Sequence, residues 1–166
     1  AMDICRRHDV PVLARGGGTA IAGQSVNVAV VFDFSRFMNA IIEIDPERRT
    51  ARVQPGCILD HLRKAAEQHH LTFGPDPATH DHNTIGGMIG NNSCGVHSVM
   101  SGRTSNYVER LTILTYDGEL MQVGPTPDDE LHKIIEAGGN RGDMYRRMVE
   151  FRDRYGKLIE QRYPDI

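Results

Sequence analysis

The stretch "ARGGGTAIAGQ", residues 14–24, follows the apolar run "VPVLA" (residues 10–14) and sets three adjacent glycines, Gly16, Gly17 and Gly18, behind Arg15. Ordering a glycine costs more backbone entropy than ordering any other residue, so a triplet implies that something approaches too closely to leave room for a Cβ. A glycine-rich turn after a strand is a general way to aim successive backbone N–H groups at an anion, commonly a phosphate. Two standard phosphate loops fail here. The dinucleotide fingerprint G-x-G-x-x-G opens a helix, whereas Gly16–Gly18 and Gly23 keep another spacing and lead into the β-branched run "NVAVVFDF" (residues 27–34). The Walker loop ends in Gly-Lys-Ser/Thr, and the first lysine of this chain is Lys64. Taken alone, the loop also reads as a plain turn between two strands.

Outward from this loop, "AMDICRRHD" reads as the tail of a helix with Met2 and Cys5 on one side, and "AIIEIDPERRTARVQPG" as a hairpin. Its strands run from Ala40 to Ile44 and from Thr50 to Gln54, around Asp45-Pro46. "CILDHLRKAAEQHH" places Ile58, Leu62, Ala65 and Ala66 at helical spacing. Residues 71–106 show little periodicity and read as one long loop, a feature compact domains seldom keep unless it is functional. "YVERLTILTYDGELMQV" alternates around Asp117-Gly118, a strong hairpin signal. "DDELHKIIEAGG" has acidic residues at its start and glycine at its end, as a helix prefers. A long helix is expected over Asp143 to Tyr163, with Met144, Met148, Phe151, Tyr155 and Leu158 forming a stripe that faces a core or another domain. The expected class is α+β.

The chain of 166 residues, 39% hydrophobic and 25% charged, has the composition of one globular domain, and its net charge of −3 predicts no polyanion partner. Cys5, Cys57 and Cys94 are odd in number and lack CxxC spacing, so they read as reduced thiols in a cytoplasmic setting. His80, His82 and His97 read as solvated or turn-forming residues, and no metal is assigned. The basic run "RGDMYRRMVEFRDRYGK" is interleaved with Asp143, Glu150 and Asp153, so it reads as a solvated helix face and not as a nucleic-acid arm.

A second glycine-rich segment changes the weighing. "GPDPATHDHNTIGGMIGNNSCGVHS" (residues 74–98) mixes Gly74, Gly86, Gly87, Gly90 and Gly95 with small polar side chains, the makings of a close-fitting wall around a ligand. Together, "PVLARGGGTAIAGQ", "ARVQPGCILDHL" and "FGPDPATHDHNTIGGMIGNNSCG" resemble three successive signatures of the FAD-linked oxidase superfamily, the fold named for p-cresol methylhydroxylase and vanillyl-alcohol oxidase. The chain is most similar to the branch that dehydrogenates D-2-hydroxy acids such as D-lactate, glycolate and D-2-hydroxyglutarate. Its "TIGGMIGNNSCG" resembles long bacterial members fused to an iron–sulfur oxidoreductase.

The resemblance implies that amides of Gly16, Gly17, Gly18 and Thr19 hold the FAD diphosphate, where a Cβ would stand in the way of the phosphates. Arg15 would brace the loop, and Gly23 and Gln24 would close it. Pro75, Asp76, Thr79, Thr84, Gly86, Gly87, Asn91, Ser93, Gly95 and Ser98 would line the ring and ribityl chain, some of them capping turns instead, with Arg103 and Thr104 in the turn that follows. Thr19 stands where a histidine-linked flavin would attach, and the loop before "TIGG" has no cysteine, so the resemblance implies non-covalent FAD.

It further implies a first subdomain over residues 1–54, a second over 55–166, and a domain fragment incomplete at both ends. The substrate domain with its catalytic residues would lie outside this chain, leaving the fragment inactive alone, and an oligomer is possible. The parent protein is expected to be cytoplasmic or membrane-peripheral and to pass electrons to a fused or separate iron–sulfur protein. Two alternatives stay open: a reductase of enolpyruvyl sugar nucleotides with the same fold, and a non-catalytic nucleotide-binding or interaction module.

Overall fold

A computed structural model describes residues 1–163; residues 164–166, the end of the expected second subdomain, lie outside the described part. The order is α1 (Met2–Arg7), β1 (Val12–Arg15), β2 (Val30–Asp33), β3 (Ile41–Asp45), β4 (Thr50–Val53), α2 (Leu59–Glu67), α3 (Ile85–Asn91), α4 (Ser98–Ser101), a 3₁₀ turn (Thr104–Tyr107), β5 (Leu111–Leu114), β6 (Leu120–Val123), α5 (Asp128–Ala137) and α6 (Gly139–Arg162). The chain is thus α+β, with three two-stranded sheets among the described residues. No described helix is long and apolar enough to cross a membrane.

β1 and β2 pair in parallel, from Val12 opposite Val30 to Arg15 opposite Asp33. Parallel neighbours need a long crossover, usually a helix. Here residues 16–29 make it without one, because the glycines are poor helix formers. β3 and β4 form the expected antiparallel hairpin, with a register shift between Ile41 and Glu43. The Asp45 carboxylate accepts the Arg48 amide at 3.0 Å to shape its turn.

The core of the first unit is Cys57, Leu59, Leu62, Ile85 and Met88, with Ile41, Val53, Phe73 and Ile89 packed against it. Burial in this apolar cluster pushes the Cys57 thiol pKa up. The same cluster explains where the chain divides. Two compact units comprise Ala1–Val108 and the residues from Glu109 onward, not 1–54 and 55–166. Ile41 and Val53 of the hairpin are packed on this cluster, whose members all follow residue 55, so no boundary falls between residues 54 and 55.

The segment expected to be one long loop instead holds α3, α4 and the 3₁₀ turn. Gly86 is a close-approach residue within α3: a Cβ there would lie 2.8 Å from the Pro55 carbonyl oxygen. Thr84 caps α3 by accepting the Gly87 amide at 3.3 Å, and Asn92 ends the helix in the left-handed region at φ 47°.

In the second unit, β5 and β6 form the hairpin expected around Asp117-Gly118, with Gly118 at φ 87°. α5 carries Asp128, Asp129 and Glu130 in its first turn, where the helix dipole favours negative charge. α6 begins at Gly139, four residues before the expected start, and packs on α5 through the buried Gly142, whose Cβ would meet the Ile134 carbonyl at 2.9 Å. The stripe expected to face a core or another domain is not core in this unit. Met148 is 64% and Phe151 51% exposed, because α6 meets α5 along its glycine face.

Leu59 is fully buried in the core, whereas Leu114 is half exposed on β5. Leu59→Ala is expected to lower stability by about 2–5 kcal/mol in urea denaturation. Leu114→Ala is expected to stay within about 0.5 kcal/mol of the wild type.

Candidate functional site

The site is assembled on one antiparallel strip. Residues 55–60 run along residues 80–86, joined by Leu59 N to Asn83 O (3.3 Å), Asp60 N to His80 O (3.2 Å), Ile85 N to Cys57 O (2.8 Å) and Gly86 N to Pro55 O (2.8 Å). Ile58 and Thr84 form an isolated antiparallel bridge within it. Leu59 and Ile85 carry their side chains from this strip into the core, so apolar burial holds the strip at a fixed height.

The glycine loop is seated on that strip. A Cβ on Gly16 would lie 2.0 Å from Thr84 Oγ1, and one on Gly17 would lie 2.1 Å from the His82 carbonyl oxygen. The volume that excludes side chains at Gly16 and Gly17 is therefore occupied by the chain itself. This corrects the expectation that a Cβ there would stand in the place of a phosphate. Gly18 answers a different demand: its φ of 69° is left-handed, and the Arg15 guanidinium lies against it, 2.6 Å from where a Cβ would sit.

Arg15 is held in turn. Its Nη1 donates to Asp33 Oδ2 at 3.0 Å across the β1–β2 pair. The other Asp33 oxygen accepts the Ser35 amide at 2.9 Å and the Ser35 hydroxyl at 2.6 Å. These Ser35 bonds, with Arg15 and Arg36 nearby, hold the Asp33 carboxyl below its ordinary pKa.

What the seated loop leaves free is its row of donors. Among the described residues, no backbone amide from Gly16 to Ser25 donates a hydrogen bond; the next donor is Val26, to the Gly23 carbonyl at 3.1 Å. Protein backbone donors are otherwise nearly all paired, so an unaccepted run of this length is left to solvent or to an acceptor-rich ligand. Thr19 is half-buried and Gln24 exposed, and Gly23 takes φ 79° in open space.

A second pair of turns is locked beside α3. A Cβ on Gly95 would lie 2.2 Å from the Asp76 carbonyl, and the Gly95 amide donates to Ser98 Oγ at 2.7 Å. The Asp76 carboxylate accepts the His97 amide at 3.1 Å and pairs with His97 Nδ1. The His97 hydrogen bonds keep the Asp76 carboxyl below its ordinary pKa.

The other residues named from the sequence divide by what they touch. Thr79 accepts from Asn83 Nδ2 at 3.3 Å, and Asn91 Nδ2 donates to Ser93 Oγ at 3.3 Å. Thr104 is fully buried and donates its hydroxyl to Ser93 O at 2.7 Å, whereas Arg103 is exposed. Gly87 is exposed on α3. Pro75 and Thr84 are wholly buried, so their side chains support the turns from behind and present no surface to a ligand, contrary to the expected lining role. His80 pairs with Asp60 at 2.8 Å and His82 with Asp81 at 2.7 Å.

Two participants escaped the sequence reading. His97, read from the sequence as a solvated or turn-forming residue, is the staple on Asp76. Asn83, next to Thr84, is 5% exposed, and its Oδ1 has no hydrogen-bond partner. Its place immediately before "TIGG" was the available signal.

Against known proteins, a family model described as "FAD binding domain" matches residues 1–124. The chain belongs to the FAD binding domain family. It is 37% identical to a D-2-hydroxyglutarate dehydrogenase of Pseudomonas putida over 97% of its own length and 16% of that relative. It is 38% identical to the glycolate oxidase subunit GlcD of Bacillus subtilis, over 74% of this chain and 26% of that one. The chain spans between 12% and 26% of the length of curated relatives such as these.

Among solved structures it is similar to 6-hydroxy-D-nicotine oxidase from Arthrobacter nicotinovorans, with TM-score 0.66 and 24% identity over 78% of this chain and 27% of the other. It is also similar to alkyldihydroxyacetonephosphate synthase, with TM-score 0.65 and 24% identity over 74% of this chain and 24% of the other. At that identity the likeness shows the fold. This FAD binding domain fits its cofactor on a structural ground: the amides from Gly16 to Ser25, unaccepted among the described residues, are the donors a diphosphate requires.

The seating of the loop is tested by contrast. Gly17→Ala must displace the His82 backbone and is expected to cost about 1–3 kcal/mol. Gly90→Ala in α3 meets nothing within 4 Å and is expected to stabilise by roughly 0.5–1 kcal/mol, both read from urea midpoints.

The Asp76–His97 staple has a pH signature. A carboxyl whose folded pKa is depressed contributes stability that is complete above its unfolded value, about 3.9, and is lost as pH falls through the lower folded value. Asp76→Asn is therefore expected to make the acid limb of the stability curve shallower below about pH 4–5 and to leave its slope at neutral pH unchanged.

Proposed function

We propose that this chain supplies the diphosphate cradle of a flavoprotein that oxidises a D-2-hydroxy acid to the 2-keto acid and passes the electrons to a separate acceptor. The observation that carries the reading is the run of unaccepted amides from Gly16 to Ser25, seated on residues 82–84. Bound FAD supplies a hydride acceptor. The chain's own residues do the holding.

Amides of Gly16, Gly17, Gly18 and Thr19 point partial positive charge at the diphosphate without a metal, and Gly23 and Gln24 close the loop. Arg15 spends its charge on Asp33 and its bulk on Gly18, which fixes the loop's curvature and leaves recognition to the backbone. Exposed or half-buried Thr79, Gly87, Asn91, Ser93 and Gly95 form the second wall, kept in register by Asp76 and Ser98. Attachment is non-covalent, because Thr19 has no nucleophile suited to the flavin ring and Cys94 lies beyond α3.

The 2-hydroxy acid class is supported by the names of the relatives, D-2-hydroxyglutarate dehydrogenase, glycolate oxidase subunit and D-lactate dehydrogenase. An iron–sulfur protein is the acceptor proposed for the parent enzyme.

The test is a fluorescence titration of the full chain with FAD, ADP and riboflavin. FAD is expected to bind saturably with absorbance near about 450 nm, ADP to compete, and riboflavin, which lacks the diphosphate, to bind at least ten-fold more weakly. Acid precipitation is expected to leave all the yellow colour in the supernatant. Equal affinity for riboflavin and FAD would overturn the cradle, and a chain that stays colourless with added FAD would favour a non-catalytic module.

A further inference from the structure

In the second unit, β6, the turn after it, α5 and α6 enclose a cleft of about 330 Å³ whose lining includes Arg110, Gln122, Thr126, Glu130, Arg141 and Tyr145. Its size is at the lower end of small-molecule sites, about 300–1,000 Å³. Arg141 is the unusual member. Its Nε is buried and has no hydrogen-bond partner, and its guanidinium lies over the Tyr145 ring at 5.7 Å from the centroid.

The Tyr145 ring covers one side of the guanidinium, and the Arg141 Nη groups, which line the cleft with the rest of the side chain, have no hydrogen bond or ion pair among the described residues. A buried donor left unpaired is costly, and folded proteins rarely keep one without a partner. Arg110, the second cation of the lining, also has no ion pair or hydrogen bond among the described residues. Glu130 is the one carboxylate there, and it stands beyond ion-pair distance of both arginines. The lining therefore carries two positive charges against one negative.

We propose that this cleft binds a small oxyanion, a carboxylate or a phosphate, with Arg141 as its anchor and Arg110 as the second cation. A planar guanidinium whose two Nη groups have no hydrogen bond or ion pair among the described residues matches the paired oxygens of either group. Glu130 limits the charge the site accepts and so favours a monoanion over a multiply charged ligand.

The test uses the full chain with ¹⁵N-labelled arginine, titrated with sodium phosphate and separately with sodium acetate at constant ionic strength held by sodium chloride. The Arg141 Nε–H resonance is expected to shift saturably with at least one of the two anions. Saturation by phosphate alone assigns a phosphate ligand, and saturation by acetate alone a carboxylate. Arg141→Lys keeps the charge but loses the fork, and is expected to weaken binding at least ten-fold. Arg152→Lys, an exposed arginine on α6 paired with Asp153, is expected to change nothing. Glu130→Gln is expected to tighten binding several-fold, which carries the test if Arg141→Lys does not fold. A shift that never saturates, one that Arg141→Lys leaves intact, or an affinity that Glu130→Gln leaves unchanged would overturn the proposal.

Discussion

Close seating of one loop on a neighbouring strip governs this molecule: Gly16 lies on the Thr84 side chain and Gly17 directly on the His82 and Asn83 backbone. The surface beneath is stiff, because residues 80–86 are hydrogen-bonded to residues 55–60 and both are pulled inward by Leu59 and Ile85. A flexible loop seated on a rigid strip loses freedom that a free loop would keep. That loss is entropic and must be offset by packing and by the ligand the loop then fits.

The electrostatic consequence is a positive site with little formal charge in it. Arg15 is neutralised by Asp33, and no lysine occurs before Lys64. Partial charges on the unaccepted amides remain, and their direction is set by the chain's path. Such dipoles cannot be titrated away near neutral pH. The pH-sensitive parts are the carboxylates of Asp33 and Asp76, which act by holding turns in place.

Glycine has three distinct uses here. Gly16, Gly17, Gly86 and Gly95 make room for another stretch of the chain, Gly18 and Gly23 supply left-handed backbone, and Gly142 lets α5 and α6 meet. In a one-dimensional reading the three uses look alike. For that reason "TIGGMIGNN" reads as loop, although the Thr84 cap, the Pro55 contact and the Met88 burial make it a helix. Likewise, Met148 and Phe151 have helical spacing that fits a core-facing stripe, but spacing does not reveal which face of α6 the neighbouring α5 covers.

Local chemistry alone specified the two hairpins, α2, α5 and the glycine loop, because turn residues, apolar period and end-charge patterns act over a few positions. Only the tertiary structure decided that β1 and β2 run parallel, that the first compact unit continues to Val108, that Pro75 and Thr84 face inward, and that the chain itself fills the space above Gly16 and Gly17. Each of these depends on contacts between residues far apart in sequence, and pairing distant segments is a property of packing that no local propensity encodes.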